Sequence, residues 1–138
     1  MIGNCLRVAC VVGAFLGSAW AYQKAEQPKA PLITSIQGPD LYKAYCAECH
    51  GSKGKGDGTK AGTLKIAPPD LTRISSRRGG TFPLKLVEGI ISGEEPMARG
   101  HGAMPAWGAV FSKVDRDQDL GRVRIDNLAR YLREMQAK

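Results

Sequence analysis

Cys46-Ala47-Glu48-Cys49-His50 is the stretch on which the reading of this chain turns. Two thiols three residues apart on one helical turn, followed at once by an imidazole, suit a particular chemistry. They can form thioether bonds to the two vinyl groups of a haem and place the histidine under its iron. A thioredoxin-like redox pair shares the spacing but normally follows a strand in a βαβ pattern, which is missing here. A zinc site needs four ligands. Outside the leader described below, the chain offers only Cys46, Cys49, His50 and the distant His101. Adjacent Cys49 and His50 can hardly serve one tetrahedral ion. The expectation is therefore covalent haem on Cys46 and Cys49, with His50 as an iron ligand.

The flanking sequence supports a helical setting. Gly38-Pro39-Asp40 opens a helix, with Pro39 near its first position. Leu41, Tyr42, Tyr45 and Cys49 then form an apolar stripe that should run to about His50, where Gly51 ends it. Residues 51–80 read as loop, because Gly51 to Gly58 is glycine-rich and Pro68-Pro69 cannot sit inside a helix. A second helix fits Pro83 to Ser92, with Leu86, Val87, Ile90 and Ile91 on one face and Gly93 at its end. Residues 100–108 read as loop again. Ile125, Leu128, Leu132 and Met135, with Tyr131 beside them, mark a final amphipathic helix. Asp126 with Arg130, and Glu134 with Lys138, should add acid-before-base pairs along it. Nothing alternates as a strand. The expected fold is all-α, three to five helices with long loops around one covalent haem.

At 138 residues, 43% hydrophobic, the chain suits one domain with a short leader. Met1 to Arg7 carries one positive charge and no acid. Val8 to Trp20 is apolar or small, and Ala19-Trp20-Ala21 has the small-x-small pattern of a cleavage site. The apolar run is shorter than the ~20 residues that span a bilayer. The organisation expected is an export signal over residues 1–21, cleaved or kept as an anchor, a polar linker over 22–36, and a domain over 37–138. Cys5 and Cys10 leave with the leader, so only Cys46 and Cys49 stay. The chain should work in the periplasm or otherwise outside the cytoplasm. Membrane association would come only through the N-terminal segment or a membrane complex.

Without Arg7, nineteen basic residues face thirteen acidic ones, a net charge of +6. Such a charge keeps a protein soluble, and it can also steer docking onto an acidic redox partner. Nucleic acid is not an expected partner: the lysines lie in glycine-rich loop with no interleaved aromatic reading surface.

A second iron ligand is sought in the loop around residues 93–108. Met104 in Gly-Ala-Met-Pro-Ala-Trp-Gly offers a soft, neutral thioether beside a stiff proline, which favours ferrous iron. Met97 and His101 are its rivals, and Met135 reads as helix core. Gly51 to Gly58 lacks the Gly-Lys-Ser/Thr ending of a phosphate loop. Asp115-Arg116-Asp117-Gln118-Asp119 begins like a calcium loop, but Gly121 falls one place late and Asp126 stands where Glu belongs. An acidic turn capping the last helix is the simpler reading.

From roughly Gly38 to Gln136 the chain resembles the class I cytochrome c family, on Gly38, Leu41-Tyr42, the Cys46 to Gly51 motif, Met104-Pro105 and the Ile125 to Met135 helix. The resemblance implies that the first and last helices cross where Gly38 approaches Tyr131. It implies Met104 as axial ligand opposite His50, and a Pro68 or Pro69 carbonyl accepting the Nδ1 proton of His50. It also places Trp107 near a haem edge or propionate, with a core role equally open. The function implied is a mono-haem carrier of single electrons rather than an enzyme. The alternatives are a haem subunit docked in a larger membrane oxidoreductase or terminal oxidase, and a haem enzyme or gas sensor with an exchangeable sixth ligand.

Overall fold

The computed structural model describes residues 32–95 and 104–138. The leader, most of the linker, and residues 96–103 with Met97 and His101 lie outside the described residues. Helix α1 spans Gly38–Tyr45, α2 Ala47–His50, α3 Leu84–Ser92, α4 Trp107–Val114 and α5 Gln118–Glu134. Three short 3-10 turns, Ala61–Thr63, Leu71–Arg73 and Ser76–Arg78, punctuate the long segment between α2 and α3. No strand occurs among the described residues. The fold is all-α, as the sequence leads one to expect.

Local sequence explains most helix ends. Asp117 caps α5, its carboxylate accepting the Asp119 and Leu120 N–H groups at 2.8 and 3.1 Å. The acidic turn is thus a helix cap. Asp115 and Asp119 are engaged by Arg124 and Arg122. Gly93 ends α3 in a left-handed conformation at φ 86°. The first helix is broken where one continuous helix was expected. Cys46 takes φ −115° at the end of α1 and starts α2 afresh.

Helix α4 is the largest departure from the sequence reading, which took residues 100–108 as loop and assigned no helix between them and the final one. Its signal is Trp107, Val110, Phe111 and Val114 at steps of three, one and three, a short stripe of helical period. The expected Asp126–Arg130 pair forms at 2.8 Å. The Glu134–Lys138 pair does not form, because α5 stops at Glu134 and Lys138 lies beyond the helical register.

Helix α5 is the central element, packed by α1, α3 and α4. Leu41, Phe111, Leu128 and Ala129 are completely buried where these helices meet. Gly38 is what lets α1 cross α5: a Cβ there would lie 2.6 Å from both the Asn127 carbonyl oxygen and the Tyr131 Cβ. The crossing packs Tyr42 against Tyr131 with the rings tilted at 58°, centres 5.6 Å apart. It also presses Tyr45 against Trp107 and Phe111, each at 5.1 Å. The effect is to hold the C-terminal end of α1, and so Cys46, rigidly against the core.

The segment before α1 is tied down as well. Ile33 donates its N–H to the Tyr45 hydroxyl at 2.9 Å. Asn127 donates to the Ile36 carbonyl at 2.8 Å. Fully buried Arg124 donates to the Thr34 and Ser35 carbonyls and pairs with Asp115.

Candidate functional site

The two cysteines and the histidine occupy one turn wound on the Cys46 carbonyl, which accepts the N–H groups of Cys49 and His50 at 3.1 and 2.8 Å. Cys46 is buried and Cys49 half-buried, and both are free thiols. Burial first, and then the neighbouring Cys49, push the Cys46 thiol up to about 12. A thioredoxin-type nucleophile is lowered, not raised. This thiol is held neutral against the core, which disfavours dithiol catalysis.

Burial pushes the His50 imidazole below its ordinary range, and the nearby Pro69 carbonyl raises it only part of the way back. The neutral imidazole, the form that offers a lone pair to a metal, therefore prevails at neutral pH. The Pro69 contact falls short of a well-formed hydrogen bond, so Nδ1 stays buried without a partner. Pro68 turns its carbonyl elsewhere: its oxygen lies 2.2 Å from where a Gly56 Cβ would stand. Of the two prolines singled out by sequence, Pro69 is thus the one beside His50.

The glycine-rich loop, set aside as a phosphate loop, has a structural job. Its backbone N–H groups cap the end of α2, whose carbonyls would otherwise be orphaned. Gly56 donates to His50 at 2.8 Å, Gly58 to Cys49 at 3.2 Å and Lys60 to Glu48 at 2.9 Å. A side chain is excluded at Gly58, because a Cβ would lie 2.3 Å from the Glu48 carbonyl oxygen.

Beyond Pro69 the chain turns on Asp70, a residue that sequence reasoning did not single out. The Asp70 carboxylate accepts the Thr72 N–H at 2.8 Å and the Thr72 hydroxyl at 2.6 Å. Lys55 lies 3.5 Å from it and donates to Thr72 Oγ1 at 2.7 Å. Leu71 N–H donates to Gly54 at 2.7 Å. These bonds staple the two arms of the loop beside His50.

The Thr72 hydroxyl, more than any other group, holds the Asp70 carboxyl below its usual range. A carboxyl lowered by folding stabilises the fold above its unfolded pKa of about 4, and the gain is lost as pH falls through the lowered folded value. Asp70→Asn should accordingly lower the melting temperature at neutral pH. The gap to wild type should narrow as the solution is acidified below about pH 4. Thermal scans across that range check it, and a gap independent of pH would contradict it.

Met104 is half-buried against the core, just ahead of α4. Trp107, at the start of α4, is 5% exposed and packs on Tyr45 and Phe111, the latter at 6.0 Å. Its surroundings are those of a core residue. Ile74, Phe82, Leu84 and Leu86 are left only half-covered by the protein itself.

A family model described as cytochrome C oxidase, cbb3-type, subunit III matches residues 36–132. The chain belongs to this family. The match spans α1 to most of α5 and so contains every residue of the site above. No curated protein and no solved structure matches the chain. Membership makes this a class I c-type cytochrome domain, a haem-binding electron-transfer protein. The residues present fit covalent haem c. Two free thiols stand on one turn, the neutral imidazole has an orphaned buried Nδ1, and a set of apolar side chains is left half-covered. Among the described residues no helix is long and apolar enough to cross a membrane.

Proposed function

We propose that this chain holds one haem c on Cys46 and Cys49, with His50 and Met104 as the axial pair, and passes single electrons between protein partners outside the cytoplasm. The observation that carries the reading is the Cys46 to His50 turn, locked between the core and the capping loop, with a neutral imidazole at its end. The chain carries one Cys-x-x-Cys-His motif, which supports one haem. When bound, haem c supplies a one-electron ferric/ferrous couple.

The chain's own residues set the conditions for that couple. Cys46 and Cys49 make attachment permanent. The Pro69 carbonyl lies where it can orient the imidazole through Nδ1. Phe82, Leu84 and Leu86 exclude water, and a dry setting with neutral ligands disfavours the extra positive charge of ferric iron. Met104 would supply the second iron ligand, which would leave no open site for a substrate and argues for transfer rather than catalysis.

Met104→Ala tests the ligand assignment. Haem should stay attached, and the ferrous protein should gain carbon monoxide binding. The potential should fall by roughly 0.1–0.3 V, within the about 0.8 V range that axial ligands command. An unchanged spectrum and potential would hand the position to Met97 or His101.

The family match favours a second reading, a subunit docked in a membrane oxidase. A stable stoichiometric partner in extracts of native membranes would support it over a roaming carrier.

A further inference from the structure

The proposed iron ligand is gripped firmly on its backbone and loosely on its ring. The His50 carbonyl accepts the Gly56 N–H at 2.8 Å, whereas the ring nitrogen Nδ1 is buried without a hydrogen-bond partner. The carbonyl beside that nitrogen belongs to Pro69. Proline has a fixed φ and no N–H to tie it down, so the direction of its carbonyl follows from how the next residues are held. Whatever fastens residues 70–72 therefore decides how squarely that carbonyl faces the imidazole.

The fastening is concentrated on one side chain. Thr72 is 7% exposed. Its hydroxyl donates to Asp70 Oδ1 at 2.6 Å and accepts from Lys55 Nζ at 2.7 Å. Its N–H donates to the same Asp70 oxygen at 2.8 Å, and its carbonyl accepts the Ala137 N–H at 2.8 Å. Lys55 belongs to the other arm of the loop. It lies between Gly54, whose carbonyl accepts the Leu71 N–H at 2.7 Å, and Gly56, which caps His50. The Asp70 and Lys55 charges alone would not join the arms. They are 3.5 Å apart with side chains 27% and 48% exposed, so their direct pairing is weak and screened. The neutral hydroxyl between them is the link.

We infer that Thr72 is a positioning residue for the iron ligand: its hydroxyl fastens the Pro69 carbonyl opposite Nδ1 of His50 and thereby tunes how strongly the imidazole donates to iron. The inference rests on the function proposed above. A carbonyl that accepts the Nδ1 proton makes the ring a stronger donor, which favours ferric iron. A loosened carbonyl weakens the donor, and the ferrous form gains.

The test uses haem-loaded full-length variants. Thr72→Val removes the hydroxyl but keeps the branched shape and the net charge, and Thr72→Ser keeps the hydroxyl. Asn127→Ala removes an equally neutral bond elsewhere, the one to the Ile36 carbonyl at 2.8 Å. In redox titrations at one applied potential, Thr72→Val should show a ferrous-to-ferric ratio about threefold above wild type. That ratio corresponds to about 28 mV, at about 59 mV per tenfold for one electron. In the ferrous protein, the His50 Nδ1 proton should exchange with water about tenfold faster by NMR. Thr72→Ser should match wild type in both readouts. Asn127→Ala should melt at lower temperature with both unchanged.

A threonine with only a structural role would lower the melting temperature and move neither readout. Lys55→Met breaks the same link from the other arm and keeps the test decisive where Thr72→Val takes up no haem. Its lost positive charge alone would favour ferric iron, an effect that salt screens. At high salt its ferrous-to-ferric ratio should therefore rise above wild type, and no rise there overturns the inference. So do wild-type readouts in haem-loaded Thr72→Val, or the same shift in Asn127→Ala. A wild-type protein without a haem spectrum overturns the proposed function, and this inference with it.

Discussion

Cys46→Ser/Cys49→Ser should abolish covalent haem, reducing the visible spectrum of the purified protein to background. A serine hydroxyl is a far weaker nucleophile than a thiol and forms no thioether with a vinyl group. The geometry makes the loss severe for the fold as well as for the colour. Cys46 is 8% exposed, next to Tyr45 at 7%, on the turn where α1 joins α2. Ile74, Phe82, Leu84 and Leu86 are half-covered and rely on a further body to exclude water. Leaving them wet costs about 25 cal/mol for each Å² of apolar surface left uncovered. The double variant should therefore also melt at lower temperature and be cut faster by protease. Visible absorbance, intact mass and a protease time course check this together. A variant that kept a haem-shifted mass would refute the attachment sites.

Arg124→Ala should destabilise the domain by about 2–4 kcal/mol, since it removes one member of a buried polar cluster and empties its volume. Arg124 is 1% exposed, and its guanidinium holds the Thr34 and Ser35 carbonyls at 3.1 and 3.3 Å and Asp115 at 2.5 Å. The pair itself is only part of the cost, because the Asp115 side chain is 35% exposed and so partly screened. The larger share is the stranded carbonyls and the cavity. Arg124→Met, which refills the volume without the bonds, should recover a part and separate the two contributions. Urea unfolding of the haem-loaded proteins measures both. A loss below about 0.5 kcal/mol, the level of an ordinary surface change, would contradict the clamp.

The fates of individual residues show what the sequence could reveal. The Cys46 to His50 motif was readable because its chemistry demands contiguous residues, and a local pattern survives without the fold. The α1 and α5 stripes were readable because long helices that bury one face must repeat at 3.6 residues. Helix α4 escaped because its stripe is only eight residues long and follows Met-Pro and two small residues, which read as loop. The one-helix reading of residues 38–50 failed at Cys46, whose departure from helical φ leaves no trace in composition. Arg124 and the capping role of Gly58 depend on partners 89 and about ten residues away, and no local pattern announces them, whereas Asp70 turns mainly on Thr72 two residues on, a local Asp-x-Thr pattern that the sequence reading passed over. The Arg124 contact with Ser35 also shows that the last residues of the expected linker already lie against the domain. The rival ligands Met97 and His101, and the export signal, fall outside the described residues.

Intact mass and the reduced-minus-oxidised visible spectrum of the protein, made in a host able to attach haem and secrete, bear most directly on the central claim. The account predicts a mass higher by one haem, both Cys46 and Cys49 blocked to thiol reagents, and the spectrum of a low-spin c-type haem. A folded, colourless polypeptide with two titratable thiols would contradict it.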